Sequence, residues 1–572
     1  MNILGKTISY LYVPETFVLI VGLIALGFFS FFLVNIGIYY SFDSTAYAQA
    51  ASWLSHNGHL KLSPHWPPGY PILLSVFYPT LSMNKAVAMV NNLSFYAVCT
   101  FSGLTTCLLL ELAGISKSLR SAYASLVILL IITCLPLMSL MGKAWSEVPF
   151  AALVMAYIYF ASLSLRSRNN KISNIIYISL LLSSIPLVRY HGLYMFIPHI
   201  YWSYLTIFKN KNSSKKSKTI SCIAAISTSI LPITFLLSAN SISYGTAMGD
   251  RYWYPLLSYG HKFLYNLSES ISIITSDIGT VFISLSAFSL TMLITFSIVR
   301  NSRYKHISDA SKLVFPYVLL SALTILAHLL LAIHSESRVK IDPLSTRFFA
   351  SLYPLIFTFG MIAIAIVLEQ FSWGHKQLIV VSLLSLGLFI FWLQIPILST
   401  QKNCSKVGCR GFYTSTVYFA FANELDNVFD RAVNTKQRFH LVLDHLVDRS
   451  DQAIHNRLAT FLGVIDDRFW KKIDVDCKVE KIALPTSLIH CVDKKNRSAN
   501  VLVHTSFDFP LNEWNYGEEL LYLRHISAPK LPEWLSCQIG VRYNSARRTG
   551  GFTFLSLNRL SGCEEQLGAL DI

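Results

Sequence analysis

The chain has 572 residues, of which 53% are hydrophobic and only 14% are charged. Soluble domains carry about 25% charged residues, so this composition is that of an integral membrane protein. The net charge is +16: residues 1–398 hold 25 basic and 11 acidic residues, and residues 399–572 hold the other 22 and 20. The basic excess belongs to loops between apolar segments, where it sets membrane orientation, and nucleic-acid binding is the poorer interpretation.

Apolar windows long enough to cross a bilayer predict about eleven transmembrane helices. They fall at 15–39, 85–111, 119–141, 146–165, 173–188, 190–208, 219–239, 275–299, 311–334, 346–369 and 376–398. The first window is too long for the apolar region of a signal peptide and lacks a clear A-x-A cleavage site. It therefore predicts a retained anchor.

The distribution of lysine and arginine predicts how these spans are oriented. With the N-terminus in the cytoplasm, the basic loops 112–118, 166–172, 209–218 and 300–310 all lie inside. The loops on the opposite side carry fewer basic residues. This orientation places residue 43 and the C-terminal region outside.

The first exterior loop holds Asp43, which is the only acidic residue between Glu15 and Glu111. The spacing of apolar residues from Ala46 predicts a short interfacial helix that ends at Gly58, with Asp43 at or just before its N-terminus. Asp is a favourable N-cap, and a cap position also fixes a carboxylate for other work, so both roles stay open. The proline-rich run at 64–71 then predicts a rigid turn into the second span.

Residues 399–572 form a second predicted domain, a small exterior α+β domain that follows the transmembrane domain of residues 1–398. Helical patterns fall at 415–432 and 451–463, and strand-like runs at Asn500–Thr505, Leu520–Ile526, Gln538–Tyr543 and Gly551–Leu557. Six of the ten cysteines lie here: Cys404, Cys409, Cys477, Cys491, Cys537 and Cys563. An even number in a small exterior domain predicts disulfides, with the pairing open, and no C-x-x-C pair supports metal binding instead.

Four segments together resemble the GT-C glycosyltransferases, in particular the bacterial branch of family 39 that is related to protein mannosyltransferases and lipid A aminoarabinose transferase. The most specific is the first exterior loop, in which Asp43, Tyr47, Ala50, Leu54 and Gly58 precede Pro67-Pro68-Gly69-Tyr70-Pro71. The others are Trp145-Ser-Glu-Val-Pro-Phe150, Leu187-Val-Arg-Tyr-His-Gly192 and Thr346-Arg-Phe-Phe349. The likeness covers about residues 15–360, and all four segments fall on the predicted exterior side.

The resemblance implies a GT-C fold and an enzyme of the bacterial inner membrane that faces the exterior. Its donor would be a polyprenyl-phosphate-linked sugar, and its acceptor an exterior glycan, glycolipid or protein. Asp43 is the candidate general base, because a carboxylate can take the proton of the attacking hydroxyl. Glu147 is a second catalytic candidate, although it could equally pair with Lys143 or Arg189 at a helix end.

The leaving phosphate requires cations, and the resemblance directs attention to four of them. The candidates are Arg347, Arg189, Lys143 and Arg251. Arg347 could instead be an anchor at the membrane interface. Candidate substrate contacts are Tyr47, His65, Tyr70, His191 and Trp253, with ordinary hydrogen bonding or interfacial packing as the alternative for each.

The sequence departs from the family at one informative position. Protein mannosyltransferases carry a second acid directly after the first Asp, whereas Ser44 follows Asp43 here. This departure argues against a protein acceptor and against a two-acid metal site in this loop. We predict no obligatory metal and no other cofactor.

Two other functions compete with this interpretation. A transporter or flippase of a lipid-linked glycan should carry ionisable residues near the middle of its spans and often paired repeats. Here the spans are nearly free of charge at that depth. A glycan polymerase or ligase would lack the arrangement from Asp43 to Pro71.

Overall fold

The computed structural model describes most of residues 42–369 and a C-terminal β-sheet. The described ranges are 42–58, 64–81, 83–167, 172–209, 214–248, 259–278, 305–338 and 346–369, short helical pieces at 282–283, 286–287 and 289–291, and the strands given below. The predicted spans at 15–39 and 376–398, most of the span at 275–299, and the predicted helices at 415–432 and 451–463 lie outside these ranges.

The described part of residues 42–369 is helical. In chain order its α-helices are α1 (Phe42–Asn57), α2 (Gly69–Phe77), α3 (Met83–Leu112), α4 (Lys117–Thr133), α5 (Leu135–Met141), α6 (Glu147–Ser167), α7 (Ile172–Val188), α8 (Phe196–Ser203), α9 (Lys215–Tyr244), α10 (Tyr259–Ile278), α11 (Lys305–Arg338), α12 (Thr346–Phe349) and α13 (Tyr353–Glu369). A 3₁₀-helix (Tyr190–Met195) precedes α8, and a π-helical turn (Tyr204–Phe208) follows it.

Four of the described helices are long and apolar enough to cross a membrane. They are α3, α6, α9 and α11, whose apolar stretches cover Lys85–Leu112, Glu147–Arg166, Lys215–Tyr244 and Lys312–Arg338. The helices α7 and α13 are apolar but shorter. Together with the composition, these helices make the chain an integral membrane protein.

One carboxylate joins three helices at one end of the bundle. Glu111, at the end of α3, accepts hydrogen bonds of 2.6 and 2.9 Å from the guanidinium of Arg166 in α6. It also lies 3.2 Å from Arg120 of α4. We call these three residues the Glu111 clamp. Since α6 begins at the opposite end of the bundle, the Glu111 clamp is remote from the residues near its N-terminus.

Several predicted spans are interrupted, and proline accounts for two of the interruptions. The predicted span at 119–141 is divided into α4 and α5, because Pro136 lies in the first turn of α5, where a missing N–H is tolerated, and would break a continuous helix. The span at 346–369 is likewise divided into α12 and α13, with Pro354 in the first turn of α13.

Two further boundaries differ from the prediction. The predicted span at 190–208 is a 3₁₀-helix, a short α-helix and a π-helical turn in succession. Gly192 in the 3₁₀-helix packs so closely that an added Cβ would lie 2.7 Å from the Ile185 side chain. The basic loop at 300–310 is partly helical, because α11 begins at Lys305.

The C-terminal region contains a seven-stranded mixed sheet. Its strands are β1 (Phe439–Leu443), β2 (Val475–Lys481), β3 (Ser487–Asp493), β4 (Ser498–Thr505), β5 (Glu519–His525), β6 (Val541–Thr549) and β7 (Phe552–Arg559), in the order β2-β3-β4-β1-β5-β7-β6. Strand β1 is parallel to β4 and β5, and the remaining pairs are antiparallel. Three of the predicted strand runs are confirmed as β4, β5 and β7, and the predicted run Gln538–Tyr543 overlaps β6 only at Val541–Tyr543.

Candidate functional site

Predicted site residues converge at the end of the bundle opposite the Glu111 clamp, which we call the motif end. The segment between α5 and α6 supplies Lys143 and Trp145, and Glu147 follows as the first residue of α6. The backbone of this segment is held by Asn91 of α3, whose amide donates hydrogen bonds of 2.9 Å to the Met141 carbonyl and 2.8 Å to the Lys143 carbonyl. One buried amide therefore fixes the shape of the chain that presents these side chains.

Glu147 and Arg189 form a buried ion pair at the motif end. Arg189 lies between α7 and the 3₁₀-helix, and its Nη1 is 2.6 Å from Glu147 Oε1. The side chains are 19% and 6% exposed. Glu147 begins α6, where a negative charge is also favoured by the helix dipole. The pairing that the sequence left open is therefore with Arg189.

Aromatic rings hold the three cations of the motif end together. The Arg347 guanidinium lies 4.9 Å from the ring centre of Trp145 and 5.0 Å from that of Phe348. The Lys143 amine lies 4.6 Å from the Trp145 ring, and the Arg189 guanidinium lies 5.6 Å from the Phe348 ring. Cations over ring faces are attracted by the ring quadrupole, which allows like charges to share a small volume.

We call Lys143, Arg189 and Arg347 the cation cluster. The cluster contains three basic side chains, and among the described residues Glu147 is paired with Arg189. Burial lowers the pKa of Lys143 below its ordinary value; the Glu147 carboxylate opposes this shift and the Arg347 guanidinium adds to it. A partly buried group of cations of this kind favours an anion, and arginine in particular matches the geometry of phosphate.

Helix α2, which follows the predicted exterior helix α1, packs onto the helix that leads to Arg189. The rings of Tyr47 in α1 and Tyr70 in α2 meet edge to face, with their centres 5.3 Å apart. A Cβ added at Gly69 would lie 2.7 Å from the carbonyl oxygen of Leu187, so only glycine permits this approach of α2 to the end of α7. The packing therefore connects α1, which carries Asp43, to the neighbourhood of the cation cluster.

Asp43 itself lies in the first turn of α1, one residue after the first helical position. The predicted short helix is confirmed, and it ends where predicted: Gly58 has a φ of 68° and its N–H bonds to the Leu54 carbonyl at 2.9 Å. A carboxylate in the first turn interacts favourably with the helix dipole. This position agrees with a structural role and leaves the catalytic role as a proposal.

A second group of polar side chains lies next to the cation cluster. The rings of His191 and Tyr194, in the 3₁₀-helix, and of His328, in α11, are in mutual contact, with the histidine ring centres 4.4 Å apart and those of Tyr194 and His328 4.7 Å apart. His328 Nε2 donates a 2.7 Å hydrogen bond to the carbonyl oxygen of Phe348. We call these three residues the histidine pocket.

The structure separates the predicted site residues into groups. It brings Lys143, Glu147, Arg189 and Arg347 together at the motif end and places His191 behind them. Tyr47 and Tyr70 are buried packing residues, whereas His65 is exposed, with its ring centre 5.8 Å from that of Trp66. Arg251 and Trp253 lie outside the described residues.

Sequence reasoning missed Phe348, Tyr194 and His328 as members of the site. His328 was the most detectable, since a histidine inside the apolar window at 311–334 is unusual. Phe348 and Tyr194 carried no such signal, because aromatic residues are common throughout these spans. Among the described residues, no group of three or more His, Cys, Asp or Glu side chains is placed to hold a metal ion.

The fold is similar to that of solved membrane-enzyme structures, although no family profile and no curated protein matches the sequence. ArnT from Cupriavidus metallidurans bound to undecaprenyl phosphate aligns with 94% of this chain and 97% of its own, with a TM-score of 0.53 and 10% sequence identity. ArnT from the same organism in the apo state aligns over the same shares with a TM-score of 0.51 and 9% identity. At such identity the likeness shows the fold alone, and that fold is the GT-C fold that the motifs predicted.

Proposed function

We propose that this chain is a membrane glycosyltransferase that transfers a sugar from a polyprenyl-phosphate-linked donor to an acceptor outside the cytoplasm. The observation that carries the proposal is the cation cluster, a group of three basic side chains with one buried acid at the motif end. The shared fold supports it, because the similar ArnT structure is bound to undecaprenyl phosphate. The proposal places the chain in a bacterial inner membrane with the motif end facing the exterior.

The cation cluster suits the leaving group of this reaction. When the bond between the sugar carbon and the phosphate oxygen breaks, the electron pair stays on the phosphate, and negative charge grows there. Arg347 and Lys143 share the Trp145 ring and are the cations that would neutralise this charge. Fixed cations need no reorganisation as the charge develops, which lowers the barrier to the reaction.

Asp43 is the proposed general base. It would take the proton from the acceptor hydroxyl while the hydroxyl oxygen forms its bond to the sugar carbon. A single displacement of this kind needs no nucleophile from the protein. The support for Asp43 is its motif position and its location in α1, which packs through Tyr47 and Tyr70 toward the cation cluster.

Glu147 is assigned a positioning role in this proposal. Its carboxylate is held 2.6 Å from Arg189, and it fixes the guanidinium near Phe348. The alternative, in which Glu147 is a second catalytic acid, predicts that Glu147→Gln abolishes transfer even where donor binding is intact. The positioning role predicts a weaker effect that appears first in donor affinity.

The proposal is tested by a transfer assay in membranes with radiolabelled polyprenyl-phosphate sugars. Arg347→Ala should lower the transfer rate at least about 100-fold, because it removes charge stabilisation of the leaving group. Asp43→Asn should lower it by a factor on the order of 100 to 10,000. Lys117→Ala, at the end of the bundle that holds the Glu111 clamp, is the control for the loss of a basic side chain in Arg347→Ala. Glu369→Gln, at the C-terminal end of α13, is the control for the loss of a carboxylate in Asp43→Asn.

Two results would overturn the proposal. Full activity of a correctly inserted Asp43→Asn protein would show that Asp43 is only a helix-terminal residue. Movement of the intact lipid-linked sugar between the two leaflets of a proteoliposome membrane, without transfer to any acceptor, would favour a flippase. Orientation is checked by labelling Thr45→Cys and Ser213→Cys in intact cells, and labelling of both from the same side would refute the placement.

A further inference from the structure

We infer that the histidine pocket of His191, Tyr194 and His328 binds hydroxyl groups of the sugar carried by the lipid donor. This inference rests on the proposed function and deepens it, since it assigns a subsite for the sugar beside the proposed phosphate site. These side chains leave hydrogen bonds unmade within the described part of the chain.

Three polar atoms of the pocket are buried and lack partners among the described residues. They are His191 Nε2, His328 Nδ1 and the Tyr194 hydroxyl. Buried polar groups in proteins are nearly always hydrogen-bonded, so a cluster of three such atoms in contacting rings calls for an explanation. One such atom could reflect local packing, but three together indicate a place where a ligand supplies the partners.

Another buried histidine of the same bundle shows what a purely structural arrangement looks like. His199 in α8 has a partner at each ring nitrogen: the Tyr157 hydroxyl lies 3.1 Å from Nδ1, and the Ser179 hydroxyl lies 3.4 Å from Nε2. Both ring nitrogens of His199 are therefore satisfied within the fold. His191 and His328 each keep one buried ring nitrogen without a partner among the described residues.

The chemistry of the free positions selects a neutral ligand that both donates and accepts hydrogen bonds. A carbonyl oxygen can only accept, so the bond to Phe348 places the hydrogen of His328 on Nε2 and leaves a lone pair on Nδ1 in the neutral ring. The Tyr194 hydroxyl can donate as well as accept. Sugar hydroxyls match this mixed set, because each can do both.

A metal cation fits the pocket less well than a hydroxyl group. The pocket has two imidazoles and a phenol, and the described residues nearby do not complete a set of three His, Cys, Asp or Glu ligands. Arg189 directly precedes the 3₁₀-helix that carries two of the pocket residues, so a cation bound here would meet positive charge. A neutral polyol meets no such repulsion.

The location also suits a sugar that is joined to a phosphate. Phe348 contacts both sites at once: its carbonyl accepts the hydrogen bond from His328, and its ring lies against the guanidinium groups of Arg189 and Arg347. A ligand with its phosphate at the cation cluster therefore has the histidine pocket as its next neighbour. The same residue sets the spacing of the two subsites.

A pair of matched substitutions tests the inference. Tyr194→Phe and Tyr157→Phe each remove one hydroxyl oxygen from a buried tyrosine, and they differ only in whether the hydroxyl has a protein partner. Binding of undecaprenyl phosphate and of a panel of undecaprenyl-phosphate hexoses and pentoses is measured on the full-length protein in lipid nanodiscs. Thermal unfolding of the same samples is measured without ligand.

Tyr194→Phe should affect lipid binding, and Tyr157→Phe should affect thermal stability. Tyr194→Phe should weaken binding of the preferred sugar-bearing lipid about tenfold, leave binding of undecaprenyl phosphate within about twofold, and leave the unfolding temperature unchanged or raised. Tyr157→Phe should lower the unfolding temperature, because it leaves a His199 nitrogen unpaired, and should not change the preference between the two lipids. His328→Asn should repeat the Tyr194→Phe result for binding.

Three outcomes would overturn the inference, and they are distinguishable. Equal loss of both lipids in Tyr194→Phe and His328→Asn would show that the pocket only supports the fold. Unchanged binding of every sugar-bearing lipid in both variants would show that the pocket binds no part of the donor. A wild-type protein that binds neither class of lipid would refute the proposed function itself, and this inference with it.

Discussion

The buried ion pair between Glu147 and Arg189 gives the strongest quantitative prediction. Opposite charges 2.6 Å apart attract by about 6 kcal/mol at an effective dielectric constant of about 20. Desolvation of both groups offsets much of this attraction, and removing one partner of a buried pair typically costs about 3–5 kcal/mol. The cost arises because the remaining charge stays buried without compensation.

The two single substitutions should lower the free energy of unfolding by different amounts. Arg189→Met leaves a carboxylate that is only 6% exposed, so it should lower the free energy of unfolding by an amount within that range. Glu147→Gln leaves a guanidinium that is 19% exposed and can reach water, so it should cost less. The double variant should be more stable than Arg189→Met alone, because it removes the unpaired charge.

Unfolding can be followed with a thiol-reactive dye, because Cys99, Cys107 and Cys134 are free and buried. The Arg166→Met variant serves as the control. Its ion pair with Glu111 is 36% and 33% exposed, so Arg166→Met should destabilise the protein less than Arg189→Met does. Costs that simply add in the Glu147→Gln/Arg189→Met double variant would refute the claim that the two charges stabilise each other.

Three further predictions follow from single features. Because burial lowers the pKa of Lys143, its charge is lost as the pH rises through a value below that of free lysine; affinity for undecaprenyl phosphate should therefore fall in the alkaline range, and Lys143→Arg should abolish that fall. Gly69→Ala forces a Cβ against the Leu187 carbonyl and should cost about 1–3 kcal/mol in thermal unfolding, whereas Gly260→Ala, with open space around it, should be neutral. Cys477 and Cys491 are paired in register on the antiparallel strands β2 and β3, so we expect a disulfide between them; non-reducing peptide mapping checks this, and two free thiols in protein from an oxidising compartment would contradict it.

The sequence predicted the helical frame well because the bilayer restricts the choices. A window of about twenty apolar residues has few structural alternatives, so α3, α6, α9 and α11 agree closely with the predicted spans. The interruption at Pro136 was less visible, because proline kinks or breaks a helix interior but is also favoured in the first turn of a helix. Hydropathy alone does not separate these two cases.

In the C-terminal sheet, β4 and β2 show why one strand was predicted and another was not. Strand β4 contains the run Val501-Leu-Val503 and was predicted, whereas β2 reads Val475-Asp-Cys-Lys-Val-Glu-Lys481 and was not. Strand β2 lies at the edge of the sheet, where charged residues are tolerated and protect against unwanted pairing. Such strands are hard to detect because their sequences resemble those of exposed loops.

The sequence identified the charged residues of the candidate site but not its aromatic residues. Basic and acidic residues are rare in these spans, so Lys143, Glu147, Arg189 and Arg347 could be identified from their rarity and motif position. Phe348 connects the cation cluster to the histidine pocket, but it is one of 37 phenylalanines in the chain. Its importance comes from which rings and carbonyls meet in three dimensions, and no local pattern records that.

Asn91 has a consequence for how this site can change during evolution. Its side-chain amide donates both of its hydrogen bonds to main-chain carbonyls, those of Met141 and Lys143, so it specifies a backbone shape without regard to the side chains at those positions. Related sequences should therefore keep an amide at position 91 whichever apolar residue packs into the core at position 141. Because only one partner of the contact is constrained, covariation between sequence positions would not reveal it, and a contact map inferred from alignments would omit a bond that shapes the site.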